Sequence, residues 1–171
     1  MKDKKFPLTG ISSVAIHSAK HENQEYAHLT PIYASSTFTF DTASQGMERF
    51  AGEDKSRLYS RWGNPTFTAA EQTIEALESF GIMDENGEPL RLKAILHASG
   101  QAAMTTLFLS NLKAGDSVLS HYSLYGGTHE LFHKVLAEAG IKTVIADLRD
   151  LNLLEDCIKK DSSIKMVHIE T

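Results

Sequence analysis

Between residues 93 and 170 the spacing of apolar and polar positions switches repeatedly between two periods. "KAILHAS" (93–99), "SVLSHY" (117–122), "KTVIAD" (142–147) and "IKMVHIE" (164–170) are short runs that read as buried strands. Between them, "GQAAMTTLFLSNL" (100–112), "GTHELFHKVLAEA" (127–139) and "LNLLEDCIKK" (151–160) repeat at helical spacing. Gly115 and Asp116 make the turn after the first of these helices, and Gly140 stops the second. On a helical wheel Leu131, Phe132, Val135, Leu136 and Ala139 form the core face of the second helix, with His129 and His133 flanking it. Strand and helix in alternation predict an α/β fold: a parallel sheet with helices on its faces.

An earlier helix starts where Asn64 can cap and Pro65 suits the first turn. Phe67, Ala70, Ile74 and Leu77 follow at helical spacing, Gly81 closes the element, and "MDENGEPLR" (83–91) is a polar loop. Residues 1–62 are different. Their periodicity is weak, and only Thr37 to Phe40 alternates like a short strand. They are expected to form an arm lying on another surface, with an α/β domain over 63–171. The sequence stops at Thr171, directly after a predicted buried strand. The polypeptide is therefore expected to continue, or to be completed by another chain.

Composition narrows the function classes. The chain has 171 residues, 42% hydrophobic and 23% charged, with a formal net charge of −5, which gives no attraction to nucleic acid or anionic membranes. No apolar run approaches the roughly 18 residues of a membrane helix. "MKDKKFPLTG" has lysines but no apolar stretch of a secretory signal, so a cytoplasmic protein is expected. The one cysteine, Cys157, excludes an internal disulfide and a Cys-rich zinc site.

His129-Glu130-Leu131-Phe132-His133 fits H-E-x-x-H, in which two imidazoles four apart share a zinc ion on one helix face. The context is poor. Lys134-Val135-Leu136 follows without the x-x-G-x-x-H continuation, and Glu155, a conceivable third ligand, sits on a separate helix. A plain amphipathic helix explains more, with Glu130 pointing outward four residues before Lys134 in the order that favours an ion pair.

In open parallel sheets ligands bind beyond the carboxyl ends of the strands. At the first such end, Ser99 can cap the next helix and Gly100 lets a ligand approach the backbone; free N–H groups there suit phosphate, although Ser-Gly before a helix is commonly just a cap. At the second, Tyr125 precedes two glycines and either stacks on a flat ring or packs on its own loop. At the third, Glu170 is either a ligand group or a solvated carboxylate. Outside the sheet, Tyr59 and Arg61 stand two apart, facing the same way if extended, and together can clamp a phosphate; the alternative is a surface arginine beside a buried tyrosine. Taken together these residue types point to a phosphorylated, planar cofactor.

Seven ordered blocks carry a resemblance: "TPIYASSTFTFD", "RFAGE", "YSRWGNPT", "ASGQAAM", "LKAGDSV", "LYGGTHELF" and "HIET". Over about 140 residues the sequence resembles the N-terminal part of the pyridoxal-phosphate (PLP) enzymes of cysteine and methionine metabolism, the trans-sulfuration enzymes. The resemblance implies the aspartate-aminotransferase-like (type I) fold, a dimer of dimers, and γ-elimination or γ-replacement on sulfur amino acids or O-activated homoserine. It implies that Ser99, Gly100 and Gln101 bind the cofactor phosphate, mainly through backbone N–H groups. Tyr59 and Arg61 would bind phosphate in the neighbouring subunit's site. Tyr125 would stack on the pyridine ring and take part in proton transfer, and Glu170 would support the cofactor. Residues 1–62 would be the dimer-forming arm.

The sequence departs from the family pattern in places. Gln101 replaces the usual methionine, the loop at 82–91 is long, and Gly127 stands where methionine γ-lyases place a cysteine. The family's Schiff-base lysine and pyridinium-binding aspartate follow the last block, and no lysine in 1–171 stands in the matching context. Two rival readings remain at this level: a zinc metallopeptidase using His129, Glu130 and His133, and a non-catalytic α/β module.

Overall fold

The computed structural model describes residues 9–19, 27–54 and 57–171. The remaining parts of the expected 1–62 arm lie outside the described residues. The chain forms two compact units, Met1–Leu96 and His97–Thr171.

The second unit is built on three parallel strands in the order β2-β1-β3: β1 (Ser117–His121), β2 (Lys142–Ala146) and β3 (Ile164–His168). Val118 lies opposite Thr143 and Met166, and Ser120 opposite Ile145 and His168. β1 is buried from Ser117 to Ser120, as a central parallel strand covered on both faces must be. Helix α4 (Gly100–Asn111) precedes it; α5 (Gly126–Glu130) and α6 (Leu151–Lys160) follow β1 and β2. Phe108 and Leu112 of α4 meet Val118, Leu131, Phe132, Leu136 and Ile141 in one apolar core, with Met104, Leu124 and Met166 packed against it. The edge-to-face pair of Phe108 and Phe132, 5.1 Å between ring centres, is its aromatic centre.

Two expectations need correction here. First, α5 does not continue as a plain α-helix: residues Leu131–Leu136 wind as a π-helix. Thr128, Leu131, Phe132 and Leu136 are buried along this stretch. The Ile141 N–H reaches back five residues to the Leu136 carbonyl, 2.9 Å away, in the same wide pattern. Of the expected core face, Leu131, Phe132 and Leu136 are buried, whereas Val135 is 47% exposed and Ala139 is also exposed.

Second, residues 93–99 form no strand. A strand needs a ladder, and none is offered among the described residues. The Ala94 N–H instead donates to Glu75 Oε1 (3.0 Å) and the Leu96 N–H to Glu71 Oε1 (3.1 Å), while Ile95 is 75% exposed.

In the first unit α1 (Ile11–His17) packs on α3 (Pro65–Glu78), and α2 (Ala43–Ala51) lies between them in sequence. Asn64 caps α3 as its position predicts: its side-chain oxygen accepts from the Thr66 N–H at 2.9 Å. Its amide also donates to the Tyr33 carbonyl (2.9 Å) and Ser60 Oγ (3.0 Å), tying three segments together. The alternating run from Thr37 contributes only a single antiparallel bridge, to Tyr59. No helix among the described residues is long and apolar enough to cross a membrane.

Candidate functional site

In the second unit, Ser99 caps α4, its Oγ accepting from the Ala102 N–H at 3.1 Å. The Gly100 and Gln101 N–H groups, at the start of the helix, have no carbonyl of a preceding turn to donate to. A Cβ built on Gly100 meets nothing within 4 Å. Open space thus lies beside a helix start with donors to spare, which suits an anion.

Tyr125 precedes α5, and its carbonyl accepts from the His129 N–H at 3.0 Å. Its side chain is 69% exposed. A Cβ added to Gly127 would lie 2.7 Å from Tyr125 Cε1 and 3.0 Å from Gln101 Nε2. The phenol ring and the Gln101 amide therefore close on the same glycine, which brings the Ser99–Gly100–Gln101 turn and Tyr125 to one place. A side chain at Gly127 would displace one or both of these side chains.

Glu170 follows β3 and joins this group. Its Oε2 accepts the Tyr125 N–H at 2.5 Å, and its Oε1 accepts the hydroxyl of the fully buried Thr128. Burial pushes the Glu170 carboxyl up, but the hydrogen bonds from Thr128 and Tyr125 and the nearby His168 outweigh it and hold it below the ordinary glutamate value. His168 Nε2 stands 3.8 Å from Glu170 Oε1. Burial pushes this imidazole below its ordinary value, against the pull of Glu170. At neutral pH the pair is a carboxylate beside a neutral ring.

Tyr125 and Glu170 lie beyond strand ends as expected, while Ser99 follows no strand and reaches the group through its cap on α4. Thr128, His168 and Ser120, which complete the network, were missed. A weak signal existed: Thr128 lies one helical turn after Tyr125, and His168 shares a strand face with Glu170.

Tyr59 and Arg61 belong to the other unit. Arg61 Nη2 donates to the Tyr59 hydroxyl at 3.3 Å, and the guanidinium lies over the phenol ring, 5.0 Å from its centre. The two side chains meet in a turn rather than along an extended segment: the Trp62 N–H donates to the Tyr59 carbonyl at 2.9 Å.

At the carboxyl ends of β1 and β2 a further polar cluster is satisfied internally. Arg149 binds Asp147 (2.6 Å) and the Tyr122 hydroxyl (3.0 Å), and this arginine holds the Asp147 carboxyl down at about 2.

His129 and His133 stack with ring centres 4.3 Å apart, and Glu130 pairs with Lys134. Among the described residues no set of three His, Cys, Asp or Glu side chains is grouped to hold a metal ion.

Comparison with known proteins gives this geometry a context. Residues 12–171 match the model of the family described as Cys/Met metabolism PLP-dependent enzyme. L-methionine gamma-lyase of Treponema denticola is 34% identical over 171 residues, 100% of this chain and 39% of that protein. Cystathionine gamma-lyase of Lactobacillus plantarum, solved with L-serine, superposes with a TM-score of 0.73 at 30% identity, over 95% of this chain and 37% of its own. A chain from Campylobacter jejuni, assigned without proof as an O-acetylhomoserine (thiol)-lyase, superposes with a TM-score of 0.76 at 28% identity, over 92% of this chain and 36% of its own. That structure carries N'-pyridoxyl-lysine-5'-monophosphate. The fold is the type I fold of these enzymes. The chain spans about 39% of the length of the relatives it matches.

Proposed function

Since this chain belongs to the Cys/Met metabolism PLP-dependent enzyme family, we propose that it serves a trans-sulfuration enzyme that carries out γ-elimination or γ-replacement on sulfur amino acids or O-activated homoserine. The observation that carries the reading is the closure of Gln101 and Tyr125 on Gly127, next to the open start of α4. Pyridoxal phosphate supplies the electron sink when bound. This donor set fits it: helix-start N–H groups for an anionic ester, and an exposed phenol for the face of a flat ring.

On this reading the Gly100 and Gln101 N–H groups and the Ser99 turn hold the phosphate. Tyr125 stacks on the ring and holds or moves a proton near it. Glu170 fixes the Tyr125 backbone from below. Tyr59 and Arg61 offer a phenol and a fixed guanidinium to phosphate in a neighbouring subunit, with residues 1–62 as the intersubunit arm of a dimer of dimers. A cytoplasmic location goes with this assignment. The family's lysine and pyridinium-binding aspartate would come from outside residues 1–171.

The test uses the full-length protein loaded with pyridoxal phosphate. It is given methionine, or O-acetylhomoserine with sulfide, while 2-oxobutanoate, methanethiol and homocysteine are followed. Release of 2-oxobutanoate and methanethiol from methionine marks elimination, and formation of homocysteine and acetate from O-acetylhomoserine and sulfide marks replacement. Formation of neither, by a protein that retains the cofactor, would reject the proposed chemistry.

A further inference from the structure

His168 lies behind the Tyr125 turn, and the chemistry described so far does not use it. Its ring is set edge-on between Phe108 and Phe132, with centres 5.6 and 5.3 Å away. Nδ1 is 3.1 Å from Ser120 Oγ, which also lies 3.2 Å from the His168 carbonyl. The serine hydroxyl therefore has two acceptors within reach. It can donate to Nδ1 when that nitrogen is bare, and to the carbonyl when Nδ1 carries a proton. With Nδ1 bare, the neutral ring already carries its hydrogen on Nε2; a second proton enters at Nδ1, the ring stays beside Ser120, and the Nε2–H becomes that of a cation.

Nε2 faces Glu170 Oε1 at 3.8 Å, too far for a hydrogen bond. Oε1 is already the acceptor for Thr128, while Oε2 holds the Tyr125 N–H. Protonation gives Nε2 a charged N–H aimed at an oxygen that Thr128 occupies, and a charge-assisted bond would be shorter than the present gap. The carboxylate would have to turn or shift to make it. Facing the imidazole from β1, α4 and the helix after Tyr125 are Ser120, Phe108 and Phe132, none of them charged; Glu170 is the charged group that acts on it.

The geometry points to His168 as a positioning residue for Tyr125: its neutral ring leaves Glu170 to Thr128 and the Tyr125 N–H, and its protonated ring competes for that carboxylate and loosens the turn carrying the phenol. The burial that disfavours the charged imidazole keeps the turn set at neutral pH. The consequence for cofactor binding rests on the proposed role of Tyr125; the effect on the turn does not.

The test is hydrogen exchange by mass spectrometry on the full-length, cofactor-free protein, read on the peptide containing Tyr125, between about pH 8 and about pH 5.5, a window spanning the ordinary imidazole value. Wild type is compared with H168F at each pH, which cancels the intrinsic pH dependence of exchange. H168Q carries the same comparison should the phenylalanine variant fail to fold. The Tyr125 amide should be equally protected in all three at the upper pH. At the lower pH it should exchange at least about fivefold faster in wild type, the small end of measured site-to-site coupling. Equal exchange at the lower pH would overturn the assignment. Equilibrium dialysis with pyridoxal phosphate runs in parallel, and wild type should lose affinity by a similar factor relative to the variants. If exchange behaves as expected but the cofactor binds at neither pH, the proposed function falls and the role of His168 in the turn stands. If the cofactor binds while exchange is unchanged by the variants, the reverse holds.

Discussion

The Tyr125 turn and the Tyr59–Arg61 pair both present a phenol, but they are built differently. Tyr125 is held through its backbone by Glu170, which is itself shared with a fully buried threonine and backed by a half-buried histidine. The Arg61 guanidinium is held by one long hydrogen bond to Tyr59 and by lying over its ring, while Tyr59 is itself fixed by its bridge to Thr37 and its edge contact with Trp62. The first site spends its side-chain contacts on fixing a backbone; the second leaves a guanidinium whose partner is a neutral ring. A prebuilt turn should respond to mutation in stability and affinity together, a paired surface clamp in affinity alone.

The largest expected effect comes from Glu170→Ala in the full-length protein. It frees the exposed Tyr125 N–H and takes the carboxylate partner from the buried Thr128 hydroxyl, and leaving a buried hydroxyl unpaired costs about 1–3 kcal/mol. Urea unfolding should show that loss, and dialysis should show weaker retention of pyridoxal phosphate. Next, Gly127→Ala places a methyl against Tyr125 and Gln101. Both are side chains that can yield, so the stability cost should be about 1 kcal/mol, at the low end for overpacking. Cofactor affinity should fall about tenfold as the phenol is displaced, a difference of about 1.4 kcal/mol.

The pH dependence is smaller and separates the partners. The native state disfavours protonated His168, so stability should decline as pH drops below the ordinary imidazole value and through the lowered native one. The Glu170 contribution is lost only further down, as pH drops from the ordinary glutamate value through its lowered one. Urea titrations of wild type and H168F across both windows should differ in the upper window. The smallest stability effect is that of Arg61→Ala, expected within about 0.5 kcal/mol of wild type. An equally large stability loss from this change would erase the contrast between the two sites.

Much of this was legible from local chemistry. Asn64 before proline and Ser99 before glycine announce their caps, and both side chains accept from the predicted helix starts. Tyr125 and Glu170 follow β1 and β3, where a parallel sheet opens, whereas Ser99 follows no strand and joins them through its cap on α4. Residues 93–99 were misread because an apolar run says nothing about whether a ladder partner exists. Thr128 and His168 were missed for a related reason: their roles arise from contacts with residues more than forty positions away, with Glu170 and with Ser120 respectively. On the π-helical stretch Leu136 keeps the buried place its spacing predicts and Val135 does not.

That wide turn has one more consequence. A coil that takes five residues to close where four would do holds slack in its own backbone. Removing a single residue from the exposed stretch at His133 to Val135 would let the coil tighten to ordinary winding, so this is the connection between β1 and β2 best able to absorb a change in chain length.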